Sequence, residues 1–368
     1  MTLRVLFLLL GVVISMFVET SARASAEPKV LNVYHWYQMI DPSILAQFEA
    51  ETGIKVHMDV YDSNEILETR LLVGNSGYDV VGPSALPYLA RQVPANVYLP
   101  LDKTKLPNAK ELDPDIMAHL ARADPGNAHA LPLVWGLVGI AYNKEKIAAI
   151  DPHVDTKSWS MLFDPKELEK FHRCGATMLP EYTDIFLPMY LYLGLSPKSQ
   201  SLKDLDLSVE QLLKMRPFIE RFDSSRPLME LFSGEVCLAM VWLSDLERER
   251  SRIKDKKRAS QIQAVLPKEG TVLWIDTMAI PADAPHPGNA HAFLNFLLRP
   301  DIIAKVTNKA YTANAVPASN PYILPEILTN TGIYPEEKMR PRLFLNEPVS
   351  PAFQRRLNRA MTKIRTGR

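Results

Sequence analysis

Residues 30–83 read VLNVYHWYQMIDPSILAQFEAETGIKVHMDVYDSNEILETRLLVGNSGYDVVGP, and their pattern decides the fold. Val30 to Tyr34 is a short apolar run of strand type. Asp41 is placed to cap a helix with Pro42 at its first position; Ile44, Leu45 and Phe48 form the inner face and Gly53 ends it. Ile54-Lys55-Val56 starts a second strand. Asp62 or Ser63 caps a second helix carrying Ile66, Leu67, Leu71 and Leu72, stopped near Gly74, and Tyr78 to Val81 is a third strand ended by Gly82-Pro83. Strand, helix, strand, helix, strand implies parallel pairing with right-handed crossovers. The alternation continues outward. Gly139 to Tyr142, Ala176 to Leu179, Val236 to Val241 and Val272 to Ala279 read as strands, and Leu212 to Phe222 and Ala290 to Leu298 as helices. The chain is therefore expected to be α/β throughout.

The N-terminus points to export. Arg4 precedes an apolar run from Val5 to Val18, and Ala22-Arg23-Ala24-Ser25-Ala26 follows with small residues at alternate positions. That order matches a secretory signal peptide over residues 1–26, cut after Ala24 or Ala26. An uncleaved anchor is the alternative, but the run falls short of the ~20 residues that span a bilayer. No Cys lies near the cut to take a lipid, and no second long apolar run follows. The mature chain is expected to be free in solution without inserting into a membrane. Its length suits about two domains of ~150 residues each. Lys+Arg and Asp+Glu both number 42, so no basic excess marks a nucleic-acid partner. The two cysteines, Cys174 and Cys237, each sit beside a predicted strand. In an oxidising compartment such a pair usually forms a disulfide; two separate buried thiols are the alternative.

Signatures of catalysis are sparse. The sequence contains no HExxH, GxSxG or GxxxxGK[ST]. Gly74-Asn75-Ser76-Gly77 reads as a helix-to-strand turn, and His286 and His291, around a Pro-Gly pair, as a surface loop in preference to a metal site. A different pattern stands out. Trp36 follows the first strand, Trp242 ends another with Asp245 three residues on, Trp274 precedes Asp276 in a third, and Ser84 follows Pro83. Ligands of open α/β sheets bind at the carboxyl ends of the strands. Trp faces attract cations and Asp accepts charge-assisted hydrogen bonds from ammonium groups, so these residues together suit a primary amine. Taken singly, each Trp reads first as a core residue that happens to end a strand.

These residues resemble the periplasmic polyamine-binding proteins of ABC transporters, most of all the putrescine-binding type. The matching stretches are Phe48 to Val56, Tyr78 to Ala85, Tyr142 to Lys146, Pro267 to Gly270, Phe293 to Asp301 and Ala313 to Ala315, in the family's order. The resemblance implies a two-lobed type II solute-binding fold with the ligand between the lobes, at about 27–133 plus 263–300 and 134–262 plus 301–368. It implies a disulfide at Cys174 and Cys237, no cofactor, no catalysis, an ABC permease as partner and a monomer. Among its site positions, Trp36, Ser84, Ser224, Trp242, Asp245 and Asp276 match, and Trp274 stands in place of Phe. Tyr37 and Gln38 replace a small hydroxyl residue and an acid. A Glu falls near Thr183, with Asp184 as the nearest acid, and a Tyr aligns with Thr312, beside Tyr311. A neutral Gln38 disfavours putrescine as the best ligand; the rival outcome is that Asp184 substitutes for the missing acid. A signalling role that presents the liganded form to a membrane sensor would share this fold and site, and an exported enzyme would need an activated nucleophile or a metal.

Overall fold

The computed structural model describes residues 27–367; the expected signal peptide, residues 1–26, lies outside them. Ten strands are present among the described residues: β1 (Val30–Trp36), β2 (Lys55–Tyr61), β3 (Val80–Val81), β4 (Ala130–Asn143), β5 (Ala176–Met178), β6 (Arg221–Phe222), β7 (Leu238–Trp242), β8 (Ile262–Val265), β9 (Thr271–Ala279) and β10 (Leu343–Phe344). The helices that frame the site are α1 (Pro42–Thr52), α2 (Asn64–Leu72), α3 (Tyr182–Tyr192), α4 (Leu202–Met215), α5 (Leu243–Arg252), α6 (Pro287–Leu297), α7 (Pro300–Ala310) and α8 (Pro351–Thr366).

The opening of the chain folds as its pattern dictates. The Asp41 carboxylate accepts from the Ser43 N–H and Gly53 takes a left-handed conformation at the other end of α1, which only Gly adopts without a steric cost. The Ser63 hydroxyl caps α2 by accepting from Ile66 N–H. β1 then pairs in parallel with both β2 and β3.

The strand order is β2-β1-β3-β9-β4-β7-β5-β6, with β8 on β4 and β10 on β9. β4 joins the two ends of this arrangement. Its residues 130–137 pair antiparallel with β9, and its residues 138–143 pair antiparallel with β7 and β8. All of its residues are buried. A strand covered on both faces shows no polar alternation, so Gly139 to Tyr142 read as a strand while Ala130 to Val138, interrupted by Pro132, did not. The register shifts between Pro132 and Val134, where proline has no N–H to give to the ladder.

Buried side chains form two clusters. One gathers around β1, β3, β9 and the first half of β4 and runs on through α5, α6 and α7; Ile302, Ile303 and Val306 of α7 belong to it. The other gathers around the second half of β4, β5, α3, α4 and α8. Trp274 packs against both.

Three sequence readings change. The expected helix over Leu212–Phe222 is α4 starting at Leu202 and ending at Met215, because Pro217 has no N–H to continue the α-helical ladder and the chain passes into a short 3-10 turn at Arg216–Phe218; Arg221 and Phe222 instead pair with β5. The third strand is reduced to Val80 and Val81. His286 and His291 are not a surface loop: Pro287 opens α6, the ring Nδ1 of His286 meets the Asp79 carboxylate at 3.1 Å, and buried His291 accepts at Nε2 from the Asp102 N–H at 2.9 Å.

Cys174, just before β5, and Cys237, just before β7, form a disulfide across a sequence separation of 63 residues. It ties two strand starts that already share the β5–β7 ladder. Closing a loop of this size removes unfolded-state entropy worth about 4 kcal/mol. A Cys174→Ser/Cys237→Ser variant is expected to lose about 2–5 kcal/mol of stability in urea unfolding; an unchanged midpoint would show that the bond constrains little.

Candidate functional site

Alternation along β9 puts Trp274 and Asp276 on one face. Trp274 lies directly across from Gly136 of β4, and a Cβ at Gly136 would come within 2.3 Å of the indole Cζ2. Glycine there lets the indole lie flat against the strand at the point where β4 passes from one ladder to the next.

Asp276 is almost closed off from solvent, at 9% exposure. The Ser84 hydroxyl donates to its Oδ1 at 2.5 Å. Asn64, the first residue of α2, holds that serine in place: its amide donates to Ser84 Oγ at 3.0 Å, and its carbonyl accepts from the Ser84 N–H at 3.0 Å. Burial raises the Asp276 carboxyl to about 7; the Ser84 hydrogen bond works against this and nearby Asp245 adds to it. On the β1 side, the Trp36 ring lies 4.8 Å from that of Tyr61, whose hydroxyl donates to the Gly82 carbonyl. The indole N–H groups of Trp36 and Trp274 are buried and have no hydrogen-bond partner among the described residues.

Asp184, in the first turn of α3, is a second desolvated acid at 5% exposure. Burial raises it to about 7 and the charge of Glu181 adds to this, while a hydrogen bond from Trp242 at the end of β7 opposes them. Neither Asp184 nor Asp276 has a Lys or Arg partner among the described residues.

Asp245, in the first turn of α5, is different. Its Oδ1 lies 2.9 Å from Arg248 Nη1 and its side chain is 27% exposed. Burial still lifts its carboxyl above the ordinary value, against the pull of Arg248 and Arg252. Gln38 adopts a positive φ of 62°, and its side-chain carbonyl accepts from Arg252 Nη2 at 2.9 Å. Tyr37 is 64% exposed. Ser224 is half-buried in the loop after β6. Tyr311 has a left-handed backbone at the end of α7 and is partly buried, while Thr312 beside it is buried.

Two regions therefore emerge: Trp36, Ser84, Trp274 and Asp276 at the carboxyl ends of β1 and β3 and along β9, and Trp242 with Asp184 where β7 meets α3. The sequence reading missed Asn64, Gly136, Glu181, Arg248 and Arg252. Arg248 and Arg252 were findable, since they follow Asp245 by three and seven residues and so share its helix face. Glu181 carries no comparable signal; it precedes the first turn of α3 without a capping hydrogen bond, beside the charge of Glu65 of α2, and burial with that repulsion raises its carboxyl. No cluster of three or more His, Cys, Asp or Glu is placed to hold a metal among the described residues.

A model of bacterial extracellular solute-binding proteins matches residues 43–330. A putrescine-binding periplasmic protein of Pseudomonas aeruginosa is 41% identical over 345 residues, which are 94% of this chain and 94% of that one. One from Escherichia coli is 39% identical over 363 residues, 98% and 97% of the two chains. A solved spermidine/putrescine ABC transporter substrate-binding protein of Streptococcus pneumoniae superposes with a TM-score of 0.80 at 22% identity, covering 92% of this chain and 99% of its own. The two-lobed type II fold expected from the sequence is the fold observed.

The Gly136–Trp274 contact yields a test. Gly136→Ala must push the indole aside or part β4 from β9, and overpacking of this kind costs about 1–3 kcal/mol. Denaturation is expected to show that loss together with a shifted tryptophan emission; unaltered values for both would mean that the indole has room to move.

Proposed function

Because this chain belongs to the bacterial extracellular solute-binding protein family, we propose that it is the periplasmic component of an ABC importer, binding a small organic amine between its lobes. It is exported by cleavage of residues 1–26, remains monomeric and delivers its ligand to a permease. The lobes are placed at residues 27–133 plus 263–300 and 134–262 plus 301–368, and they move about β4 and β9; α7 packs across that boundary on the buried cluster around β1 and β9. The proposed lining is Trp36, Tyr37, Gln38, Ser84, Asp184, Ser224, Trp242, Asp245, Trp274, Asp276 and Tyr311.

One observation carries the reading: Asp276 and Asp184 are desolvated carboxylates held by neutral donors, with no Lys or Arg partner among the described residues. A buried charge without a countercharge is costly, and burial accordingly raises both carboxyls to about 7. An ammonium group on the ligand supplies what is missing. Trp274 and Trp36 offer π-faces near Asp276, and Trp242 offers one near Asp184. The expectation that putrescine is not the best ligand rested on Gln38 leaving one ammonium without a partner. Asp184 can fill that role, so a ligand with two ammonium groups is favoured here. The relatives named for putrescine binding support this choice. Their periplasmic naming supports the location, and no helix among the described residues is long and apolar enough to cross a membrane.

Calorimetry with putrescine tests the proposal. Removing one acid from a desolvated ion pair costs roughly 3–5 kcal/mol, so Asp276→Asn is expected to weaken binding by two to three decades. Unchanged affinity would remove Asp276 from the site.

Acidity gives a second test. Both carboxyls lie above the unfolded value of 3.8, so in the unliganded chain their contribution to stability is greatest below pH 4 and is lost as pH rises towards about 7. Amine binding needs the ionised forms and runs the other way. Between pH 8 and pH 6 affinity is expected to fall by roughly a hundredfold if both acids serve the ligand, and roughly tenfold if one does. An affinity independent of pH over this range would contradict the role of both.

A further inference from the structure

Asn64 is the first residue of α2, and it meets Ser84 twice. Ser84 N–H donates to Asn64 Oδ1 at 3.0 Å, and Asn64 Nδ2 donates to Ser84 Oγ at 3.0 Å. A backbone N–H can only donate, so the first contact fixes which end of the Asn64 amide is oxygen and sets its NH2 group on Ser84 Oγ. Ser84 then has its own hydroxyl hydrogen to place. Asp276 Oδ1 lies 2.5 Å from Ser84 Oγ, within the range of a hydroxyl bonded to a charged carboxylate. The backbone holds the pair together as well. Ser84 and Asp276 form an isolated antiparallel bridge, and Thr277 N–H donates to the Pro83 carbonyl at 3.0 Å. The three side chains thus form a chain of hydrogen bonds with one direction, from the Asn64 amide through the Ser84 hydroxyl to the Asp276 carboxylate.

The reverse direction leaves a hydrogen unmatched. A protonated Asp276 would donate to Ser84 Oγ, which already accepts from Asn64, and the Ser84 hydrogen would lose its acceptor. An ionised Asp276 accepts that hydrogen, and polarisation along such a chain strengthens each bond. Resting on the amine-site reading above, we propose that Asn64 is a positioning residue: it turns the Ser84 hydroxyl onto Asp276 and so favours the charged carboxylate that a ligand ammonium group needs. Asn64 acts through Ser84 and does not need to touch the ligand. The second lone pair of Ser84 Oγ is left to accept from the ammonium. Among the described residues, the ionisable groups coupled to the charge of Asp276 are Asp245 of α5 and Tyr61 of β2, and the test leaves both in place.

The test is calorimetry of putrescine on the mature protein and its variants between pH 6 and pH 8.5. Asn64→Asp keeps an acceptor for Ser84 N–H but replaces the donor by a carboxylate, which draws the Ser84 hydrogen to itself. Its affinity is expected to stay within about threefold of the unaltered protein at pH 8.5 and to be about tenfold weaker at pH 6, a shift of about one unit in the pH dependence. Asn64→Ala removes the donor without adding charge and is expected to shift the pH dependence the same way, by about threefold at pH 6. In a Ser84→Ala background, Asn64→Ala is expected to leave the pH dependence unmoved, because the chain is already cut. A residue that only braces α2 would weaken binding equally at both ends of the pH range. Such an equal loss, an unmoved pH dependence in Asn64→Ala, or the same threefold change in the Ser84→Ala background would each overturn the proposal. If Asp276→Asn weakens putrescine binding while the Asn64 variants keep the original pH dependence, only this inference falls. If the unaltered protein does not bind putrescine, the amine site itself is wrong and this inference falls with it.

Discussion

The structure depends on one strand. β4 pairs with β9 along its first half and with β7 and β8 along its second, and it is buried throughout. A strand with both faces covered and both edges paired can slip only by breaking two ladders, and a one-residue slip would turn every side chain to the opposite face. That fixes β9 against β4, and β9 carries Trp274 and Asp276. Gly136 completes the constraint by leaving the space that the Trp274 indole fills. The indole touches both buried clusters, so the aromatic wall of the site also belongs to the join between them.

The same rigidity explains how two acids are kept in an unfavourable state. Ser84 and Asn64 hold Asp276 from one side, and Trp242 donates to Asp184 from the other. Neutral donors position a carboxylate without cancelling its charge. Protonation relieves each acid in the empty protein, and in the proposed function a ligand cation relieves it in the occupied one. Asp245 shows the contrast, since Arg248 performs that service from within the chain. Recognition of charge here is a matter of which carboxylates the protein leaves unpaired.

Much of this was legible in the sequence, for identifiable reasons. Caps and glycine stops at Asp41, Gly53 and Ser63 mark helix ends through local hydrogen bonding, and local rules decide them. The order of Trp36, Ser84, Trp242, Trp274 and Asp276 at strand ends, with the family resemblance, named residues that the structure places at the ends of β1, β3 and β7 and along β9. What escaped was decided by tertiary packing. The first half of β4 was hidden because full burial erases the alternation that marks a strand. The extent of α4 was misjudged because the weight of Pro217 was missed. His291 was read as exposed because its partner, the Asp102 N–H, is far away in sequence.

The central claim is that the ligand provides the countercharge for acids that burial has driven towards protonation. Proton release on binding measures this directly, by calorimetry at pH 7 in buffers of different ionisation enthalpy. Two carboxyls near 7 are each about half protonated in the empty site and ionised when an ammonium group sits beside them. The account predicts release of about one proton for each putrescine bound. Binding enthalpies that do not vary with the buffer would mean no proton is released, and would contradict it.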